Sequence, residues 1–204
     1  MDNSDLASLS KHVQTLITKY PDINAVWLNA GIQYSYSFAD PINGSKHTDE
    51  AIIREITVNL TAHTILARHF VPFLLTQKFE TVLMLTSSGI AYLPLSQFPV
   101  YGATKAATHH LCCAMRDQLA DTNVRVLELA TPYVATDLDK EHKEASKGAP
   151  PPMPLEEYTD KVFEILDGSE AKELKEVGVG FAQMGVGKWR EAFGPVLEGI
   201  GSKA

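Results

Sequence analysis

The chain has 204 residues, a formal net charge of −7, 45% hydrophobic and 21% charged residues, the proportions of one ordinary globular domain. No Lys/Arg cluster offsets the acidic balance, so no nucleic-acid partner is expected. Apolar runs such as FVPFLL are too short to cross a membrane. The polar start MDNSDLASLS is no signal peptide, and the adjacent Cys112 and Cys113 have no other cysteine to pair with, so a cytoplasmic setting without a membrane partner is expected.

The first apolar positions, Leu6, Leu9, Val13, Leu16 and Ile17, have helical spacing, and YPD at 20–22 ends that helix. INAVWL is a short apolar run closed by NAG and reads as a buried strand. Residues 35–47 are loop-like. Thr48 to about Gln77 reads as one long helix that Pro72 should kink. TVLMLTSS is a second buried strand, residues 100–121 a helix, and VRVLEL a third strand followed by ATPYVATDL. The charged, then Pro-rich DKEHKEASKGAPPPMP reads as a loop or lid, and 155–167 as an amphipathic helix. The tail has room for a last strand and a helix.

Alternating strands and helices, with continuously apolar strands, indicate a parallel sheet covered on both faces. Sites in such sheets lie beyond the C-terminal strand ends. Asn29-Ala30-Gly31, Ser87-Ser88-Gly89 and Thr131–Thr136 occupy those ends here. The motifs NGS at Asn43 and NLT at Asn59 are read as chance matches to the glycosylation pattern.

Tyr101 and Lys105 stand four apart in FPVYGATKAATHHL, amid small residues that let a flat ligand approach. On a helix they share a face. An ammonium there favours the phenolate and should lower the tyrosine pKa, suiting it to proton transfer. An isolated Y-x-x-x-K is common, and the setting singles this one out. Ser88 ends a buried strand thirteen residues earlier, and Asn59 sits inside a helix, where it must find hydrogen bonds.

In this order and spacing Asn59, Ser88, Tyr101 and Lys105 resemble the catalytic tetrad of short-chain dehydrogenases/reductases. LNAG resembles that family's N-N-A-G turn, and TPYVATDL its P-G-x-x-x-T segment, up to about Leu138. The resemblance implies a Rossmann-like fold and interconversion of a carbonyl and an alcohol on a small organic substrate with NADP or NAD. It makes Tyr101 the proton donor or acceptor. Lys105 tunes Tyr101 and bonds the nicotinamide ribose, Ser88 orients the substrate oxygen, and Asn59 holds a water for proton resupply. Asn29 contacts the cofactor, Val134 and Thr136 hold its carboxamide end, and Asp2, in MDNSD, matches the adenine-contacting Asp.

The chain departs from the family in three places. No G-x-x-x-G-x-G turn occurs, although such a turn holds the pyrophosphate. By family comparison about 55 residues, with three strands and two helices, precede the matching part. Tyr133 replaces Gly after Pro132, and the usual final strand and Gly-Gly ending are not recognisable. The expected organisation is therefore an N-terminally truncated Rossmann-like core over 1–138, then a lid, substrate region and C-terminal helices over 139–204. INAVWL becomes an exposed edge that a second copy or a partner chain would cover. A fragment, a natural truncation without cofactor that keeps acid/base or ligand-binding chemistry, and a complex with a second polypeptide are the alternatives.

No metal is expected, because His109-His110 and His63/His69 lack a convergent ligand set. His109 and His110 read as surface or packing residues, Cys112 and Cys113 as small core residues, and Trp27 as core. KWREAFGPVLEGI reads as a packing helix, with an interaction helix as the alternative.

Overall fold

The computed structural model describes residues 1–39, 48–140, 148, 150–168 and 171–204. The Asn43 motif, the end of the loop expected over 35–47, and residues 141–147 and 149 of the expected lid lie outside the described residues.

Four parallel strands make one sheet in the order β1-β2-β3-β4. They are β1 (Ala25–Leu28), β2 (Thr81–Ser88), β3 (Val124–Thr131) and β4 (Glu176–Gly178). The helices are α1 (Leu6–Lys19), α2 (Asp49–Ile56), α3 (Ala62–Leu75), α4 (Pro99–Leu119), α5 (Leu155–Leu166) and α6 (Phe181–Gly199). The alternation read from sequence is thus a doubly covered parallel sheet. A short last strand follows in the tail, where the sequence left room for one but did not locate it. At three residues, β4 is too brief to stand out as an apolar run.

Strand parity sorts the side chains between two faces. Leu83, Leu85, Val124 and Val126 meet Leu9 and Val13 of α1, Leu66 and Phe70 of α3, and Cys112 of α4. Leu127, Leu129 and Val177 meet Tyr158 and Val162 of α5 on the other face. Trp27 departs from the sequence reading here. It lies on the second face but outside the α5 cluster, and is 45% exposed. Among the described residues its strand pairs only with β2 and stands at an edge of the sheet. An apolar run at an edge need not be covered on both sides.

The long helix is not uniformly α-helical. Residues Thr57–Thr61 form a π-turn between α2 and α3, while α3 runs through Pro72 to Leu75. The carbonyl that Pro72 deprives of its helical partner belongs to Arg68, an exposed residue that can turn to water. The π-turn contains Asn59, and such turns often mark functional positions.

Gly178 of β4 packs against the start of α6 so closely that a Cβ would lie 2.8 Å from Gln183 Cα, whereas a Cβ at Gly187 meets nothing within 4 Å. Gly178→Ala is expected to cost about 1–3 kcal/mol by overpacking. Gly187→Ala should add up to ~1 kcal/mol through helix propensity. Denaturant melts of the two variants check the pair, and equal midpoints would contradict this β4–α6 packing.

Candidate active site

The C-terminal ends of β1, β2 and β3 bring most of the expected site residues together. Thr86, near the end of β2, is the junction. Its carbonyl accepts the Lys105 ammonium at 2.8 Å, and its hydroxyl donates to Asn29 Oδ1 at 2.8 Å while accepting the Trp27 indole N–H at 2.8 Å. Lys105 is 2% exposed, and its Nζ lies 5.4 Å from the Tyr101 ring centroid. Ser88, one residue pair further along β2, donates to Thr131 O at 3.3 Å, and its side chain acts to lower the Tyr101 phenol pKa.

Asn59 solves its problem as a buried amide by pairing with a backbone. Its Oδ1 accepts Ile32 N–H at 2.9 Å and its Nδ2 donates to Ile32 O at 2.8 Å. A further 3.3 Å contact reaches Thr104 Oγ1 on α4. This fastens the turn after β1 beside Lys105. A Cβ on Gly31 in that turn would sit 3.5 Å from Asn59 Oδ1 and 3.7 Å from Lys105 Nζ.

Val134 and Thr136 lie on the segment after β3. Val134 bridges to Met153, and Thr136 caps a short 3-10 turn by accepting Leu138 N–H at 3.3 Å. Asp2 stands apart, since its carboxylate accepts from Ser4 N–H and Oγ at 2.8 Å at the exposed start of the chain.

The acid/base balance differs from the sequence expectation. Burial, then the charge of Glu55, push the Tyr101 phenol up, against the hydrogen bond from Ser88. Burial pushes Lys105 down to about 8, with Glu128 opposing it. The i, i+4 spacing puts the ammonium beside the ring, but desolvation of the phenolate outweighs it.

Several polar residues around the site were not singled out in the sequence. Glu55, Asn59 and His63 repeat every four residues and are all 0% exposed, so REITVNLTAH carries a buried polar stripe whose period was the available signal. Burial raises Glu55 to about 7 despite the Tyr34 N–H. Burial, with the charge of Lys105, lowers His63 to about 4. Glu128, hidden in the apolar run VRVLEL, is 0% exposed.

Ser87 donates to Glu128 Oε1, Tyr92 Oη donates to the same oxygen at 2.9 Å, and His109 Nδ1 meets Oε2 at 2.7 Å. His109 is therefore a buried partner of Glu128 rather than a surface residue, while His110 is exposed. Cys112 is core, and Cys113 lies between His109 Nε2 at 3.9 Å and Arg116 Nη1 at 3.8 Å.

His109, Glu128 and Glu176 hold potential ligand atoms within 4.8 Å of one another, but Arg116 and Arg190 already grip Glu176 at 2.6 and 2.5 Å. The group is an ion-pair network. Among the described residues no helix is long and apolar enough to cross a membrane.

A family model described as short chain dehydrogenase matches residues 1–147. The chain is 34% identical over 169 residues to the uncharacterized oxidoreductase DltE of Bacillus subtilis (strain 168), covering 82% of this chain and 63% of that protein. It is 28% identical over 116 residues to the NADPH-dependent 1-acyldihydroxyacetone phosphate reductase of Saccharomyces cerevisiae, covering 57% and 36%. The chain thus spans about two thirds or less of these curated relatives.

Among solved structures, a short-chain dehydrogenase from Sphingobium yanoikuyae in complex with NADPH is similar at TM-score 0.74 and 22% identity, covering 100% of this chain and 72% of that one. The 3-ketoacyl-(acyl-carrier-protein) reductase of Brucella melitensis complexed with NADH is similar at TM-score 0.73 and 20% identity, covering 89% and 76%. At these identities the likeness is one of fold.

Burial pulls His109 down, but hydrogen bonds to Cys113 and Glu128 and the Glu128 charge lift it to about 9. A raised histidine stabilises fully below its unfolded value of 6.5, and that contribution is lost as pH rises through 9. Wild-type stability is therefore expected to fall by at most about 3 kcal/mol between these limits. His109→Gln should flatten that part of the curve, as read by denaturant melts at stepped pH.

Proposed function

The chain belongs to the short chain dehydrogenase family, and from that premise we propose that it carries the acid/base and nicotinamide-facing part of an NAD(P)-dependent carbonyl–alcohol oxidoreductase. The observation that carries this reading is the cluster at the end of β2, where the buried Lys105 ammonium donates to Thr86 O at 2.8 Å and lies 5.4 Å from the Tyr101 ring centroid, with Ser88 closing the same strand. In the reductive direction Tyr101 gives its proton to the carbonyl oxygen. Ser88 donates a hydrogen bond to the same oxygen and stabilises the charge it gathers. Lys105, its ammonium disfavoured by burial, is suited to passing protons near neutral pH. Asn59 Oδ1 keeps a second lone pair for a water that returns them.

The residues present fit one end of a nicotinamide dinucleotide. Lys105, Tyr101 and Asn29 would hold its ribose, Val134 and Thr136 its carboxamide, and Asp2 is the proposed adenine contact. Gly31 leaves room beside Lys105 that a Cβ would take up. The bound cofactor would supply the hydride. No Gly-rich turn for the pyrophosphate exists in the sequence. Relatives named for NADPH and structures holding NADPH or NADH support either nucleotide. The open β1 edge, with Trp27 half-exposed beside it, suits coverage by a second copy or a partner chain. A small-molecule substrate and a cytoplasmic setting complete the proposal.

A panel of small ketones and aldehydes, assayed by NADPH and NADH consumption, tests this reading. Tyr101→Phe is expected to lower turnover about 10²–10⁴-fold with folding intact, and a fully active Tyr101→Phe would overturn the assignment. In titrations of this chain alone, either nucleotide should bind with a dissociation constant weaker than about 100 μM. Each missing charge-assisted phosphate contact forfeits about 1.5–3 kcal/mol. Low-micromolar binding would show that another part of the chain supplies the phosphate site.

A further inference from the structure

Ser88 and Tyr101 stand at the two ends of one connection, which begins with the 3-10 turn Gly89–Ala91. Ser88 caps that turn by accepting Ile90 N–H at 3.4 Å, and Tyr92 closes it with its own N–H on Gly89 O at 3.2 Å. A surface turn keeps a fixed position only if something outside it holds it. Here both flanks are held by the same atom. The Ser87 hydroxyl donates to Glu128 Oε1, and Tyr92 Oη donates to that oxygen at 2.9 Å.

The other carboxylate oxygen reaches the helix that carries the rest of the site. His109 Nδ1 meets Glu128 Oε2 at 2.7 Å, and His109 lies four residues after Lys105 and eight after Tyr101 on α4. Thr131, at the end of the same strand as Glu128, supports the arrangement. Its Oγ1 donates to Ser87 O at 3.2 Å, and its carbonyl accepts Ser88 Oγ at 3.3 Å. Helix α6 presses on the turn from the other side, since a Cβ on Gly89 would lie 3.1 Å from Ala182, and one on Gly185 would lie 3.0 Å from Tyr92 Cβ.

Glu128 and Ser87 are both 0% exposed. A valine or leucine at position 128 would continue the apolar run VRVLEL without the desolvation of a carboxylate. Instead a carboxylate gathers donors from β2, from the end of the turn and from α4. Each of these segments leads directly to a member of the acid/base cluster: Ser88 beside Ser87, and Lys105 and Tyr101 before His109.

We propose that Glu128 is a positioning residue of the candidate active site, which sets the Ser88 hydroxyl against the Tyr101–Lys105 face of α4 by holding Ser87, Tyr92 and His109 on one carboxylate. Its bearing on turnover rests on the oxidoreductase reading given above, whereas its hold on the turn does not. A displaced Ser88 loses more of its interaction with the charge that develops in the transition state than with the bound carbonyl. Loosening the carboxylate bracket therefore lowers kcat and leaves KM nearly unchanged.

The first test needs neither cofactor nor turnover. Amide hydrogen exchange of the full chain is followed by NMR at residues 92 and 93, whose N–H groups both bond Gly89 O. Leu83 and Val126, paired in register across β2 and β3, serve as references. Tyr92→Phe removes one donor and keeps the ring. It is expected to speed exchange at 92 and 93 about 10-fold, with the references within about twofold of wild type. Glu128→Leu removes every bond and should speed it further. Glu128→Gln keeps an oxygen for Ser87 and Tyr92 and an amide that can donate to a neutral His109, so exchange there should stay within about threefold of wild type. Wild-type exchange at 92 and 93 in a folded Tyr92→Phe would overturn the proposal. Equal acceleration at Leu83 and Val126 would also overturn it, leaving Glu128 a plain stability element.

The second test is NADPH consumption with the ketone and aldehyde panel. Tyr92→Phe and Glu128→Leu should lower kcat about 10-fold, with KM for NADPH and for the carbonyl within about twofold. Glu128→Gln should recover most of kcat. A loosened turn with an unchanged kcat would sink the positioning role. Should Glu128→Leu fail to fold, Tyr92→Phe and Glu128→Gln decide both tests. A wild-type chain that consumes no NADPH with any carbonyl would remove the oxidoreductase reading, and the exchange pattern alone would then decide whether Glu128 holds the turn.

Discussion

A lysine ammonium with 2% exposure is the constraint around which this end of the sheet is arranged. Removing an ammonium from water is expensive, and the protein offsets it only in part. One proton goes to Thr86 O at 2.8 Å, the charge of Glu128 acts from below, and the remaining donors face the turn after β1. Burial, and after it the charge of Lys105, lowers the His63 pKa to about 4. A Cβ at Gly31 would stand in van der Waals contact with both Nζ and Asn59 Oδ1, which shows how close the turn after β1 lies to the ammonium.

Two acidic groups, placed differently, make the two faces of that arrangement unequal. Glu128 has donors on both oxygens, from Ser87, Tyr92 and His109. Glu55 has one donor and one bare oxygen. A fully bonded carboxylate rigidifies its surroundings, whereas a half-bonded one changes charge within the physiological range. One carboxylate is thus a fully hydrogen-bonded hub, while the other stands half-bonded with its pKa raised by burial to about 7.

The sheet was legible wherever a strand was long and buried on both faces, as TVLMLTSS shows, its limits matching β2. It was illegible at β4, where three residues carry too little pattern, and at Trp27, because a run of apolar letters does not say which strand is an edge. Asn59, Ser88, Tyr101 and Lys105 were readable as a spaced set of polar residues, and the structure brings them to one end of the sheet. The direction of the Tyr101 shift was not readable, since an i, i+4 lysine is visible in sequence but the burial that outweighs it is not. Glu55 and His63 were hidden for the opposite reason. Polar letters in a helix read as solvent-facing until the loop that covers them is known.

That loop is what turns a helix face into a site. Without Ile32 and Tyr34 laid across it, the stripe Glu55–Asn59–His63 would be an ordinary hydrated face, with ordinary acid strengths. With them in place, Asn59 exchanges water for two backbone bonds at 2.8 and 2.9 Å, and the π-turn at 57–61 shifts the helix register locally where that exchange occurs. The bonds cross between β1 and the α2–α3 helix, two elements far apart in sequence. Lys105 contributes from a third element, α4, and Thr86 from a fourth, β2. The acid/base properties of Tyr101 are therefore a property of the assembled sheet end. A short motif lifted from this sequence would keep its letters and lose its chemistry.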